Sequence, residues 1–110
     1  MTFDEYQQEA LRTANQLKGR ELIAMATVGL CGESGELADL LKKHLWHSHD
    51  LDKAKVTKEA GDCAWYLAVL CAACDIKLSD VIEGNVKKLR ARYPDGFDPE
   101  RSKNRAPEDK

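Results

Sequence analysis

The three prolines of this 110-residue chain stand at Pro94, Pro99 and Pro107, so everything before residue 94 is free of the strongest helix breaker. β-branched residues neither cluster nor alternate, which removes the strand signal. The chain is therefore expected to be all-α. Thr2 followed by Glu5 is a capping-box pattern opening a first helix that runs to about Gly19, with Phe3, Tyr6, Ala10 and Leu17 on its apolar side and Gly19 as its stop. A second helix is expected from about Glu21 to His47, carrying Leu22, Ala26, Leu30, Leu37, Leu40 and Leu41 at helical spacing. The polar stretch HSHDLDK makes the next turn, and a third helix spans about Asp52 to Cys74. Ser79 caps a fourth helix reaching about Tyr93, which YPDGFD closes. Four antiparallel helices over residues 1–97 make a single domain, and the charged residues 98–110 are expected to be a flexible tail.

The second half of the third helix, CAWYLAVLCAAC, is apolar nearly all round, the pattern of an enclosed helix. A chain this short has little with which to enclose it, so a homo-oligomer is expected. The same run, Cys63 to Cys74, falls short of the roughly 17 to 25 residues that a membrane-spanning helix needs, so no membrane span is expected. The opening MTFDEYQQEA has neither the basic nor the apolar stretch of a secretory signal, which leads to the expectation of a cytoplasmic protein. Seventeen Lys and Arg against nineteen Asp and Glu give a net charge of −2, the wrong balance for an extended nucleic-acid groove. Cys31, Cys63, Cys71 and Cys74 lie in apolar periodic segments and read as reduced packing residues. The C-x-x-C of Cys71 and Cys74 stands at a helix end whose dipole disfavours a thiolate, and no second ligand pair completes a zinc site.

Four acids stand where acids are costly. At 100° per residue Glu33 and Glu36 fall on the stripe of the second helix that carries Leu22, Ala26, Gly29 and Leu40. Glu59 and Asp62 share a face of the third helix with Tyr66, Leu70 and Ala73. Inward carboxylates cost several kcal/mol each unless paired or bound to a cation, and four facing one another repel. One arrangement accommodates all four: two i, i+3 pairs on packed helices supply hard oxygen ligands to Mg2+, with Mn2+ as a substitute. A di-iron bundle is the competing metal site, but its Glu-x-x-His motifs are missing, Glu36 and Asp62 standing in the second positions. Pairing with Lys or Arg from other helices, or a place on an interface rim, is the bland alternative for each acidic pair.

Gly29, Gly32 and Gly35 recur at three-residue spacing inside the second helix, where each costs about 1 kcal/mol relative to Ala. Close helix approach and room for a ligand beside Glu33 and Glu36 both account for them. On the fourth helix Asn85, Lys88 and Arg92 share the face of Val81 and Leu89, and cations on that side suit polyphosphate oxygens, although the helix dipole also favours them. His44, His47 and His49 read as turn residues in solvent, with nucleotide contact as the alternative. His44 lies about 12 Å along the helix axis from Glu36 and cannot share its ion.

With GESGEL (Glu33, Glu36), then KEAGDCAWYL (Glu59, Asp62) and EGNVKKLRARYPDGF (Asn85, Lys88, Arg92) in that order, the chain resembles the MazG-like nucleoside triphosphate pyrophosphohydrolases from about Ala26 through Phe97. The resemblance implies a four-helix MazG-like bundle completed by dimer or tetramer formation. It implies that Glu33, Glu36, Glu59 and Asp62 hold magnesium, one of them also orienting or deprotonating the attacking water. Asn85, Lys88 and Arg92 would contact phosphates. The implied reaction takes a nucleoside triphosphate to the monophosphate and pyrophosphate. Tyr66, one turn beyond Asp62, is a candidate neighbour of the nucleobase or ribose, and Trp65 and Trp46 are candidate stacking surfaces, with core or interface packing as the alternative for all three. The related phosphoribosyl-ATP pyrophosphohydrolases and a non-catalytic helical oligomer are the competing functions.

Overall fold

The structure, a computed structural model, describes residues 1–14 and 16–109. The described residues are helical, with α1 at Phe3–Leu11, α2 at Gly19–Trp46, α3 at Lys53–Ala73, α4 at Leu78–Arg92, a short α5 at Pro99–Lys103 and a 3-10 turn at Pro107–Asp109. No strand occurs among them, only an isolated bridge between Pro94 and Gly96. The all-α class expected from the proline distribution is the class observed. Among the described residues no helix is long and apolar enough to cross a membrane. Two compact units divide the chain, residues 1–78 and 79–110, and each is described by itself.

In the first unit α1 begins as the capping pattern requires, with Thr2 Oγ1 accepting the Glu5 N–H at 3.0 Å. It ends at Leu11, well before the expected Gly19. A continuing helix would give the Ala10 carbonyl to the Ala14 N–H. Instead Ala10 O accepts from the Thr13 hydroxyl at 3.1 Å and from Trp65 Nε1 at 3.1 Å, and the Ala14 N–H turns to Leu11 O. Trp65 Nε1 also reaches Thr13 Oγ1 at 2.8 Å. A tertiary donor from α3 thus takes over the end of α1, which a local reading does not show. The expected continuation crosses Asn15, which lies outside the described residues. Gly19 opens α2 with φ +59°, a left-handed conformation that glycine adopts without a Cβ penalty.

α2 and α3 form the main pairing, and α1 packs on α3. As α2 advances from Gly29 to Ser34, its neighbours on α3 retreat from Tyr66 to Cys63, so the pair is antiparallel. The turn between them is stabilised locally: His47 and His49 N–H groups both go to Lys43 O, His44 Nδ1 lies 2.9 Å from the His49 carbonyl oxygen, and Asp52 accepts the Lys55 N–H at 3.2 Å to cap α3. All three histidines are exposed, but His44, expected in the turn, stands in the last turn of α2, and only His47 and His49 belong to the connection that follows.

The buried apolar residues are Ala10, Leu22, Ala26, Ala68, Val69, Cys71 and Leu78. These side chains are mostly small, which lets helix backbones approach. Among them sits one buried polar side chain, Gln7, 5% exposed. Its amide donates to Ala68 O at 3.2 Å and Ile76 O at 3.0 Å, while its Oε1 accepts the Leu78 N–H at 3.0 Å. Gln7 therefore satisfies the first N–H of α4, the service the sequence reading assigned to Ser79. Ser79 instead lies inside the first turn.

The near-complete enclosure expected for the end of α3 is not reached within one chain. Ala68, Val69 and Cys71 are buried, Leu67 and Leu70 only half-buried, and Cys74 exposed. Val28, Leu41, Leu45 and Trp46 of α2 are also exposed, Trp46 by 74%. All four cysteines are free thiols. Packing accounts for Cys71, whose thiol burial pushes up in pKa, but not for the exposed Cys31 and Cys74.

In the second unit, α4 leads into a turn in which Gly96 takes φ +94° and the Tyr93 and Phe97 rings lie 5.3 Å apart. Asp98 Oδ1 accepts the Glu100 N–H at 2.9 Å, and Pro99 opens α5. Secondary structure thus extends into the segment read as a tail, down to Asp109. Lys110 lies outside the described residues.

Candidate functional site

Antiparallel pairing of α2 and α3 sets Glu33 opposite the i, i+3 pair Glu59 and Asp62. One carboxylate oxygen of each lies within 4.8 Å of the others, and all three side chains are half-buried. Among the described residues no Lys or Arg forms an ion pair with any of them, since the salt bridges present join Arg12 to Glu9, Lys42 and Lys43 to Asp39, and Arg92 to Asp109. Pairing with helix cations, one bland account of these acids, is not found among the described residues.

Two further observations mark the cluster as undercompensated. Glu59 Oε2 is buried and has no hydrogen-bond partner. The Glu33 carboxyl is pushed up from its ordinary 4.5 to about 7, chiefly by hydrogen bonding to Glu59, then by desolvation and by the charges of Glu59, Asp62 and Glu36. Three convergent carboxylates, one with an orphaned buried oxygen, have the donor chemistry of a hard divalent cation site. The residues fit Mg2+ or Mn2+, without selecting between them.

Glu36, expected as the fourth ligand, is not brought into this group. It lies exposed one turn along α2, close enough to raise the Glu33 pKa and to favour the charged form of Lys43. The face assignment at 100° per residue put Glu33 and Glu36 on one stripe. Register across the pair then favoured Glu33, because the α3 acids stand opposite its turn.

The glycine stripe resolves into two kinds of position. A Cβ on Gly29 would overlap the Tyr66 ring, whereas Gly32 and Gly35 face open space. Close approach explains the first, and room beside Glu33 is left by the others. Tyr66 is held between Gly29 and an edge-on contact with Trp65 at 5.0 Å. Trp65 is spent on the end of α1, while Trp46 is exposed. Gln7, absent from any motif, had no sequence signal beyond a polar residue beside an apolar stripe.

In the second unit Asn85 and Lys88 are exposed on α4, and Arg92 is half-buried. Arg92 is already engaged: Nε and Nη2 reach the two Asp109 carboxylate oxygens at 2.6 and 2.8 Å, and its guanidinium lies 5.7 Å from the Tyr93 ring centroid. Nothing in the sequence singled out Asp109, since an ion pair across residues 93–108 has no periodicity.

Comparison with known proteins matches residues 23–97 to the MazG nucleotide pyrophosphohydrolase domain. The gene 37 protein of Mycobacterium phage L5 is 35% identical over 80 residues, a stretch covering 69% of this chain and 70% of that protein. No solved structure matches significantly. The matched region takes in the α2 and α3 acids as well as α4, and the chain belongs to the MazG nucleotide pyrophosphohydrolase family.

Proposed function

We propose that this chain is a magnesium-dependent nucleoside triphosphate pyrophosphohydrolase that converts NTP or dNTP to the monophosphate and pyrophosphate, with removal of unwanted or non-canonical nucleotides as its role. The observation that carries the reading is the convergence of Glu33, Glu59 and Asp62 without a protein cation. These three residues would hold the ion, and Glu36 joins them by a rotamer change on an exposed side chain. Bound there, a divalent cation would polarise phosphoryl oxygens and make water more acidic. One of the four carboxylates would orient a water against the α-phosphorus and take its proton, while the bond from that phosphorus to the bridging oxygen breaks and pyrophosphate departs. Asn85, Lys88 and Arg92 offset charge on the departing group, and Tyr66 borders the base or ribose. Exposed Val28, Leu41, Leu45 and Trp46, together with the incompletely enclosed α3, support assembly as a homodimer or homotetramer.

The test is release of pyrophosphate, with and without Mg2+, over a panel of canonical and modified nucleoside triphosphates and phosphoribosyl-ATP. Turnover of triphosphates that requires the metal and disappears in Glu59→Gln, with helicity retained, is expected. Exclusive turnover of phosphoribosyl-ATP would move the chain to that related activity. A folded protein inert on the whole panel would leave the helical scaffold.

A further inference from the structure

Unit 79–110 contains a cleft of about 550 Å³ whose wall carries Lys88, Arg92, Arg101 and Arg105 against Glu108 and Asp109. Four cations facing two carboxylates leave it net positive. Asp109 sits in the midst of this charge: Arg92 grips both of its oxygens, and Arg92, Arg105 and Lys88 together hold its carboxyl below the usual carboxylate range. The pair is shielded, with side-chain exposures of 11% for Arg92 and 17% for Asp109. Arg105 Nε is buried and has no hydrogen-bond partner, so the single carboxylate does not exhaust the donors.

A guanidinium fork that takes a carboxylate in two parallel hydrogen bonds takes a phosphate in the same way. A ligand with more oxygens and more charge would use donors that Asp109 leaves idle. We propose that this cleft is a phosphate-class anion site built by Arg92, Arg105 and Lys88, with Asp109 as an intramolecular occupant that pyrophosphate, or the polyphosphate end of a nucleotide, must displace. Arg105 is thereby assigned a ligand-binding role, and the 3-10 turn at Pro107–Asp109 becomes a latch on the site. The identification of the anion as a nucleotide's polyphosphate rests on the function proposed above; the binding of the anion does not.

An internal competitor lowers apparent affinity in proportion to the fraction of chains in which it is displaced. A latch closed in about nine chains of ten costs about tenfold. The experiment is titration calorimetry of inorganic pyrophosphate, at fixed ionic strength and without divalent metal, into the full chain and into Asp109→Asn, Glu108→Gln and Arg105→Ala. Asp109→Asn is expected to bind about tenfold tighter, Arg105→Ala weaker than the parent, and Glu108→Gln, which makes the same charge change without touching Arg92, to gain far less. Equal gains in Asp109→Asn and Glu108→Gln would reduce the effect to net charge and overturn the latch, as would no gain in Asp109→Asn. Should Asp109→Asn fail to fold, hydrogen exchange of residues 106–109 in the unmodified chain decides: it speeds up on pyrophosphate addition if the turn is displaced, and unchanged or slower exchange sinks the proposal. Nucleotide turnover enters neither readout. A chain inert towards nucleotides whose Asp109→Asn form gains pyrophosphate affinity keeps the latch and loses the proposed activity; an active chain with no such gain keeps the activity and loses the latch.

Discussion

The ring of Tyr66 occupies the space that a side chain at Gly29 would need. This contact joins α2 to α3 one helical turn before Glu33 and one turn after Asp62, and so sets the spacing of the helices beside the acid cluster. Gly29→Ala is expected to cost about 1 to 3 kcal/mol, because overpacking outweighs the gain in helix propensity. Gly32→Ala, facing open space, is expected to stabilise by about 0.5 to 1 kcal/mol. Urea denaturation of the two variants checks the contrast. Equal effects would mean that Tyr66 moves aside freely.

Gln7 satisfies Ala68 O, Ile76 O and the Leu78 N–H at once. Gln7→Leu keeps the volume and removes all three bonds, but only the buried Leu78 N–H is left without an acceptor, since the Ala68 carbonyl keeps its place in the α3 ladder. A loss of about 1 to 3 kcal/mol is expected, the cost of one buried unsatisfied group, because Ile76 is open to water. A midpoint in urea within error of the parent would show that water replaces the amide.

Glu33 titrates near 7 in the metal-free fold instead of at its ordinary 4.5. An acid raised on folding holds more protons folded than unfolded across that window, so its contribution to stability is present below about 4.5 and is lost as pH rises through about 7. Metal-free protein is therefore expected to melt lower at about pH 8 than at about pH 5, Glu33→Gln to flatten that slope, and Mg2+ to raise the melting temperature more at the higher pH. Calorimetric scans at the two pH values measure this, and a parent slope identical to that of Glu33→Gln would contradict the close approach of Glu33 and Glu59.

Glu59→Gln and Asp62→Asn are each expected to lower pyrophosphate release by about a hundredfold or more, beyond the 10- to 100-fold typical of losing a residue that only supports a metal ligand. Helicity should persist, because removing one of several mutually repelling acids relieves the fold. Glu36→Gln tests whether the exposed fourth acid joins the ion: loss of turnover comparable to Asp62→Asn is expected, and undiminished turnover would restrict the ligand set to Glu33, Glu59 and Asp62.

Helix content was legible because it is local: no proline before residue 94, the capping oxygen at Thr2, and apolar spacing along the chain. The acids at 33, 59 and 62 were legible for the same reason. A carboxylate on an apolar stripe is anomalous whatever it faces, and ordered spacing is written in the chain. The ends of elements were less so. α1 stops at Leu11 because Trp65 takes the Ala10 carbonyl from 55 residues away, and no propensity near Ala10 encodes that bond.

The sequence by itself determined an all-α chain, the four acids from which a cluster could be drawn and the family that carries them, since helical periodicity and motif order depend only on near neighbours. Tertiary structure decided what depends on register between helices. It drew Glu33, and not Glu36, to Glu59 and Asp62, spent Gly29 on the Tyr66 ring while leaving Gly32 and Gly35 open, and closed the Arg92 fork on Asp109. Each of those pairings is fixed by a few ångströms of placement across elements, and a one-dimensional pattern contains no such distance.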